Sequence, residues 1–404
     1  MKILQIANKP PFPAVDGGTI AMLQHTFGFV SNGHSVDILA MNTPKHFVDL
    51  NKFVEKELPV PSFHLHYVIV DVKINWMDAL RNLFFSKIPY NAERFINKQF
   101  ANQLNFLLTC QEFDIVQLEG LYLCPYIELI RQKSKAIIAL RAHNIENEIW
   151  QRAAVNKKNV FKKIYFKIIF NRLKKFEQSF INKYDLLVPI TKRDAAVFEQ
   201  MGNVKPSFVS PVGYSNSKSS KGKTNISIPS LYHLGALDWL PNQEGLLWFI
   251  NHCWQAIHKQ FPELKFYIGG RNASEKFIQS IKKPGIVYCG EVPDAEAFIS
   301  DKAILIAPLF SGGGMRVKII ESMSFAKVVV TTTIGAEGIE IKHRKNILIA
   351  NDAQSFVENI CALLENKPLY DEIAKNALTF VSENFDAKVL VKSLIDFYLE
   401  QINE

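Results

Sequence analysis

Three consecutive glycines, Gly312, Gly313 and Gly314, stand directly before Met315, Arg316, Val317 and Lys318, and Glu321 follows about one helical turn after Lys318. The glycines free the backbone to approach a ligand closely, and a helix opening just beyond them turns unpaired N–H groups and a positive dipole end toward an anion. Arg316 adds a planar fork of donors and Lys318 a point charge. The two suit a diphosphate and would stabilise the negative charge that develops as a nucleotide diphosphate departs. Glu321, on nearly the same helix face as Lys318, suits a pair of ribose hydroxyls. The competing arrangement is a helix surface on which both cations pair with Glu321. Three glycines in a row cost conformational entropy that a purely structural turn seldom incurs, which favours the ligand.

A second group, Ala142-His143-Asn144-Ile145-Glu146, follows the apolar run Ala136–Arg141. A parallel strand there would deliver a histidine, an amide and a carboxylate to a ligand at its carboxyl end. Capping of the next helix, or sitting satisfied in a loop, is the competing role for His143. Near the start, Gly17 and Gly18 precede an amphipathic helix expected from about Thr19 to Asn32, a place for a phosphate on unpaired N–H groups or simply a tight turn. The segment Lys157–Lys175, with Lys162, Lys163 and Lys167, mixes basic residues with phenylalanine and isoleucine and holds no acidic residue. It fits an anionic membrane surface or a lipid-diphosphate acceptor, and equally a packed helix with a solvated basic face. His64 and His66 alternate on one strand face. With no third ligand evident, an exposed strand edge is expected there rather than a metal site.

These residues need elements to hold them. Short apolar runs alternate with longer helical patterns, the signature of parallel sheets joined by crossover helices. Strands are expected at Lys2–Ala7, Ser35–Met41, Asp114–Leu118, Ala136–Arg141 and Asp185–Pro189. A second series falls at Leu231–Leu234, Lys265–Gly269, Ile286–Gly290, Ala303–Ala307, Val328–Thr332 and Ile347–Ala350. Between the series, residues 215–228 are small, polar and basic and read as a linker between domains 1–214 and 229–384. Each half is thus expected to be a doubly wound α/β domain, with the active site in the cleft between them.

At 404 residues, 48% hydrophobic and 21% charged, the chain exceeds one ordinary core and has the composition of folded protein. It contains no uncharged apolar run of about 18 residues, and the first residues read as a buried strand rather than a signal peptide, so the protein is expected to stay where it is made. Five scattered cysteines without a Cys-x-x-Cys pair suggest neither a disulfide framework nor zinc, and fit a reducing cytosol. A formal charge of +8 and a pI near 9.0 imply attraction to anions. Nucleic acid is disfavoured, because the basic residues cluster on one helix without a stacking platform of aromatics.

Taken together, the Gly17-Gly18 loop, His143-Asn144-x-Glu146, Leu234–Asp238, Gly269-Gly270-Arg271, Val287–Asp294, the Gly312–Met323 stretch and Ile334–Gly338 resemble glycosyltransferase family 4 over nearly the whole chain. These are retaining transferases related to bacterial glycogen synthases and lipopolysaccharide glycosyltransferases. The resemblance implies a GT-B fold, two Rossmann-like doubly wound parallel-sheet domains facing a cleft. The first would bind the acceptor and the second the nucleotide sugar, and a closing helix at 385–404 would cross back to the first. It implies catalytic roles for His143, Arg316 and Lys318. Donor contacts would come from Gly17, Gly18, Gly235, Arg271, Glu291, Val292, Gly312, Gly313, Gly314, Met315 and Glu321, with the loop from Glu291 to Asp294 on the nucleobase. Two departures stand out. The first glutamate of the usual pair is replaced by Gly313, which puts donor-sugar identity in question, and Gly235–Pro241 lacks the usual Arg and Lys, for which Arg316 and Lys318 look like the substitutes.

The resemblance implies transfer of a sugar from a nucleotide diphosphate carrier to a glycan or lipid-linked acceptor in cell-surface polysaccharide or glycoconjugate synthesis. No cofactor and no metal are expected, since arginine, lysine and helix dipoles answer the diphosphate. A cytoplasmic protein, peripheral at the inner face of the plasma membrane, is expected. The alternatives are a non-hydrolysing nucleotide-sugar epimerase, for which Glu119, Glu146 and Glu337 are available carboxylates, and a catalytically silent nucleotide-sugar-binding protein.

Overall fold

A computed structural model describes residues 1–14, 16–49, 63–155, 160–214 and 230–403. The expected linker, 215–228, lies outside the described residues. The chain divides into two compact units, Met1–Val212 with Lys388–Glu404, and Gly213–Ala387.

Unit 1 runs β1 (Lys2–Ala7), α1 (Gly17–Ser31), β2 (Ser35–Asn42), β3 (Phe63–Ile69), α2 (Trp76–Phe85), α3 (Lys98–Cys110), β4 (Ile115–Glu119), β5 (Ile137–Ala142), α4 (Glu146–Val155), α5 (Val160–Phe180), β6 (Leu186–Pro189) and α6 (Lys192–Gln200). Its six strands are parallel in the order β3-β2-β1-β4-β5-β6. Strand side chains alternate between faces, and both faces here are apolar. Leu4, Ile6, Leu39, Val116, Leu118, Ile138 and Leu140 enter one core, whereas Ile3, Ala7, Val36, Ile38, Ala40, Ile115 and Ala139 enter the other. Burial on both faces is what makes these strands read as continuous hydrophobic runs.

Unit 2 runs β7 (Ser230–Leu234), α7 (Leu240–Phe249), β8 (Lys265–Gly269), β9 (Ile286–Gly290), β10 (Ile304–Ala307), α8 (Val317–Ser324), β11 (Val328–Thr331), β12 (Leu348–Ile349), α9 (Ala353–Glu365) and α10 (Lys367–Asn384). Its order is β12-β11-β10-β7-β8-β9, again parallel. In each sheet the chain reverses direction of travel next to the first strand, between β1 and β4 and between β7 and β10, and ligands of doubly wound sheets sit beyond the carboxyl ends at that point.

The last helix, α11 (Ala387–Asn403), begins two residues later than the expected 385. Phe385 accepts a hydrogen bond from the Tyr214 N–H within unit 2, and the Tyr214 ring lies edge-on to Phe325. From Lys388 onward α11 belongs to unit 1, where Val391, Leu394, Ile395 and Tyr398 enter the same core as α1 and β2. Gly28 permits this packing, since a Cβ there would lie 2.4 Å from Val391 Cγ1.

Candidate functional site

In unit 1, β4 and β5 end side by side, with Glu119 opposite Arg141 in register. The chain past β5 carries His143, whose Nε2 lies 2.8 Å from Glu119 Oε2. Gln117 Nε2 donates to Glu119 Oε1 at 2.5 Å and Gln5 Nε2 at 3.3 Å. Burial alone would raise the Glu119 carboxyl, but the His143 hydrogen bond, the Arg141 and His143 charges and the Gln117 amide bring it below the usual range. Glu119 is therefore a carboxylate placed to accept the Nε2 proton, and Nδ1 is the ring nitrogen that remains. Among the described residues the buried His143 Nδ1 has no hydrogen-bond partner.

Of the two competing roles for His143, capping the next helix belongs to another residue, whereas the Glu119 contact is compatible with a satisfied loop histidine. Glu177, on α5, accepts from the N–H groups of Glu146 and Asn147 at 3.1 and 3.3 Å and from Asn147 Nδ2 at 2.5 Å. Burial pushes Glu177 up to about 7. Glu146 itself accepts from the Tyr122 hydroxyl at 2.8 Å, and its carboxyl is raised by burial. Glu119, Tyr122, His143, Asn144 and Glu146 all line a cavity of about 540 Å³, together with Lys9, Gly18, Lys73 and Arg94.

The Gly17-Gly18 turn differs from its expected form. Gly17 is already the first residue of α1, and the Asp16 carboxylate accepts from the Thr19 N–H at 2.9 Å, so one of the N–H groups expected to await a phosphate is taken. Lys9 Nζ lies 2.6 Å from Asp16 Oδ2. Against the upward push of burial, that ammonium holds Asp16 down to about 2. Gly18 still faces the cavity. On the outermost strand β3, His66 Nε2 lies 3.0 Å from the buried Asp37 of β2, and His64 Nδ1 lies 3.8 Å from the same carboxylate. Among the described residues no group of three or more His, Cys, Asp or Glu side chains is arranged to hold a metal ion. Lys163 and Lys167 are exposed on α5, and the side chain of Lys162 lies outside the described set.

In unit 2, the turn after β10 contains Gly312 at φ 99° and Gly314 at φ 75°, conformations that other residues rarely adopt. A Cβ on Gly312 would lie 2.9 Å from the Trp239 ring. Arg316, only 6% exposed, is the N-cap of α8, donates to the Gly313 carbonyl, and sets its guanidinium 5.2 Å from the Trp239 ring centroid. Met315 is buried beside it.

Lys318 turns its ammonium to two neutral partners, Asn242 Oδ1 at 2.9 Å and His233 Nε2 at 3.2 Å. His233 donates Nδ1–H to the Ile306 carbonyl at 2.9 Å, and burial together with the Lys318 charge keeps the ring neutral. Burial, then the Arg316 charge, lowers Lys318 to about 7. Gly235 leaves the room this needs, because a Cβ there would sit 2.8 Å from Lys318 Nζ. Glu321 is pushed up to about 7 by burial and the nearby Glu296, the opposite of what a salt bridge to Lys318 would do. Among the described residues the half-buried Lys318 meets an amide and an imidazole, and the buried Arg316 stands beside it, so two positive side chains meet at the start of α8, an arrangement suited to an anion.

The remaining expected donor residues surround this turn unevenly. The Arg271 carbonyl accepts from the Leu237 N–H at 2.9 Å, and a Cβ on neighbouring Gly270 would lie 1.9 Å from the Gly235 carbonyl oxygen. Glu291 is exposed and Val292 half-buried in the loop after β9, where Val292 covers Gly269. His233, Trp239 and Asn242 were not foreseen as site residues. Only the pairing of β7 with β10 brings His233 to Lys318, 85 positions away.

Comparison with known proteins bears on both units. A Klebsiella pneumoniae protein described as an uncharacterized 44.6 kDa protein in the cps region is 26% identical over 405 residues, covering 97% of this chain and 98% of that one. The structure of HepE from Anabaena in complex with UDP has a TM-score of 0.70 at 13% identity, covering 99% of this chain and all of that one. Sucrose-phosphate synthase from Thermosynechococcus elongatus has a TM-score of 0.71 at 13% identity, over the full length of both. Two six-stranded parallel α/β units with these structural neighbours make the fold GT-B, and residues 228–366, which contain the whole glycine turn and its cations, match the family model described as Glycosyl transferases group 1.

Proposed function

We propose that the protein is a glycosyltransferase that moves a sugar from a nucleoside diphosphate carrier to a glycan or lipid-linked acceptor, in the manner of glycosyltransferase family 4. The observation that carries this reading is the Arg316–Lys318 pair beside the Gly312–Gly314 turn, where among the described residues the lysine meets an amide and an imidazole rather than a carboxylate. Unit 2 binds the donor, with the diphosphate on those two cations and the α8 amino terminus and the ribose on Glu321. HepE was crystallised with UDP and with UDP-glucose, which makes a uridine diphosphate sugar the first donor to try. The cps region of the Klebsiella relative points the acceptor toward cell-surface polysaccharide.

The unit 1 cavity holds the acceptor, whose hydroxyl donates to His143 Nδ1 while Glu119 fixes the ring. The acceptor oxygen bonds to the anomeric carbon as the bond from that carbon to the diphosphate oxygen breaks. Arg316 and Lys318 stabilise the charge that collects on the departing diphosphate. Retention at the anomeric centre and independence of metal are part of the same reading.

The test is release of nucleoside diphosphate from a panel of nucleotide sugars, with and without short glycan acceptors. Arg316→Ala with Lys318→Ala is expected to reduce acceptor-dependent release by at least about 100-fold, the scale of losing a preorganised charge partner of the transition state. Near wild-type release in that double variant would remove the two cations from the reaction. An isomerised nucleotide sugar appearing without acceptor would replace the reading by an epimerase.

A further inference from the structure

Helix α2 is built the wrong way round for a helix on a water-facing surface. Its one buried residue is polar: Asn82 donates to the Ile88 carbonyl at 2.8 Å and to Glu93 Oε2 at 2.6 Å. Its outer side carries Trp76, Met77, Leu80 and Phe84, at spacings that place them on one face, followed by Phe85 and preceded by Ile74. Trp76 is 70% exposed, Phe84 74% and Phe85 86%. Single exposed apolar residues are ordinary, but a continuous stripe of large ones marks a contact surface.

The stripe continues onto α5. Arg172 of α5 donates to Asn82 Oδ1 at 2.9 Å and to the Ser86 carbonyl at 2.6 Å, and Tyr165 and Ile168 share a crevice with Ala79 and Leu83. The exposed side of α5 then alternates Ile164, Tyr165 and Ile168 with Lys163, Lys167, Lys174 and Lys175. From Lys157 to Lys175 no acidic residue interrupts it. On α2 itself the charged pair is Arg81 and Asp78, 3.8 Å apart.

We infer that the joined outer face of α2 and α5 docks on an anionic lipid bilayer. The α2 stripe enters the headgroup–acyl boundary, with Trp76 and Tyr165 at the depth favoured by amphipathic rings, and the α5 lysines sit on acidic headgroups. Charge decides the occupant. A two-fold self-contact would set one lysine row against its copy with only Asp78, already beside Arg81, to answer it, whereas a bilayer carrying acidic lipid supplies that charge. No described helix is long and apolar enough to cross a membrane, so the face lies on the bilayer. Lys73 and Ile74, just ahead of α2, also line the unit 1 cavity, so that a lipid-linked acceptor would reach the cavity from the same bilayer. That last step alone rests on the glycosyl-transfer reading.

The test is flotation of the full-length protein with vesicles of phosphatidylcholine, alone or with about 30% phosphatidylglycerol, in the absence of any sugar donor. The expected result is at least tenfold greater partitioning to the acidic vesicles, lost on raising salt because surface attraction is screened. Trp76→Ser with Phe84→Ser and Phe85→Ser, and separately Lys163→Glu with Lys167→Glu, should each reduce it at least tenfold with unchanged thermal midpoint. Should the aromatic variant fold poorly, quenching of wild-type tryptophan fluorescence by brominated acyl chains, reduced in Trp76→Phe, reads the same contact. Equal partitioning to both vesicles, variants that bind like the wild type, or a sedimenting dimer that the aromatic variant alone converts to monomer would each overturn the inference. Because no donor is present, failure here leaves the glycosyl-transfer reading standing.

Discussion

Lys318 is the residue on which the proposed donor site turns. Its partners are a side-chain amide and a neutral imidazole, and burial with the Arg316 charge holds it to about 7. An arriving diphosphate favours the charged form and raises that value, so between about pH 7 and the bound-state pKa binding must take up a proton. Nucleoside diphosphate affinity should accordingly fall as pH rises from 7 to 9, by up to about tenfold per unit. Calorimetry at pH 8 in two buffers of different ionisation enthalpy should show uptake of close to one proton in the wild type and almost none in Lys318→Met. A flat pH profile in the wild type would mean that Lys318 does not meet the phosphates. The residue types were readable from the sequence, because glycine, arginine and lysine at a strand-to-helix junction have few other uses together. Their neighbours were not: Glu119 and His143 are 24 positions apart, and only adjacent registers of β4 and β5 join them.

At the scale of elements, the strands were legible because a parallel strand covered on both faces is an uninterrupted apolar run, and β1, β8 and β9 have the expected ends. Ends elsewhere moved by a residue or more, as at β12, which keeps only Leu348–Ile349 of the expected Ile347–Ala350. Helix α2 shows what pattern alone conceals. An amphipathic period says that a helix has two faces, and Trp76, Leu80 and Phe84 fit a core stripe as well as they fit an exposed one. The polar partners of Asn82 settle which side is inward, and they come from residues 88, 93 and 172. The seat of α11 in unit 1 was implied by likeness to a known family, and its physical basis is the missing side chain at Gly28. Gly28→Ala should destabilise the protein by about 1–3 kcal/mol, the cost of overpacking a close contact. Adding Val391→Ala should recover part of that loss in the same thermal or denaturant melt. Additive losses in the double variant would show that the two side chains do not share the space.

Across the whole molecule, two sheets of one topology differ in what stands at their strand ends. Unit 1 presents a histidine and two carboxylates on a cavity, and unit 2 presents glycines with the buried Arg316 and the half-buried Lys318. Positive charge is distributed unevenly: Arg316 and Lys318 stand together at the start of α8 in unit 2, and a row of lysines lies exposed on α5. The central claim is that the Arg316–Lys318 pair receives a diphosphate. Titration calorimetry of UDP, GDP and ADP, each beside its nucleoside, into the wild type and into Arg316→Ala with Lys318→Ala is the direct measurement. The account predicts that one diphosphate binds at least tenfold more tightly than its nucleoside, and that the double variant loses this advantage while still binding the nucleoside as before. A diphosphate advantage that survives both substitutions, or none in the wild type for any base, would contradict it.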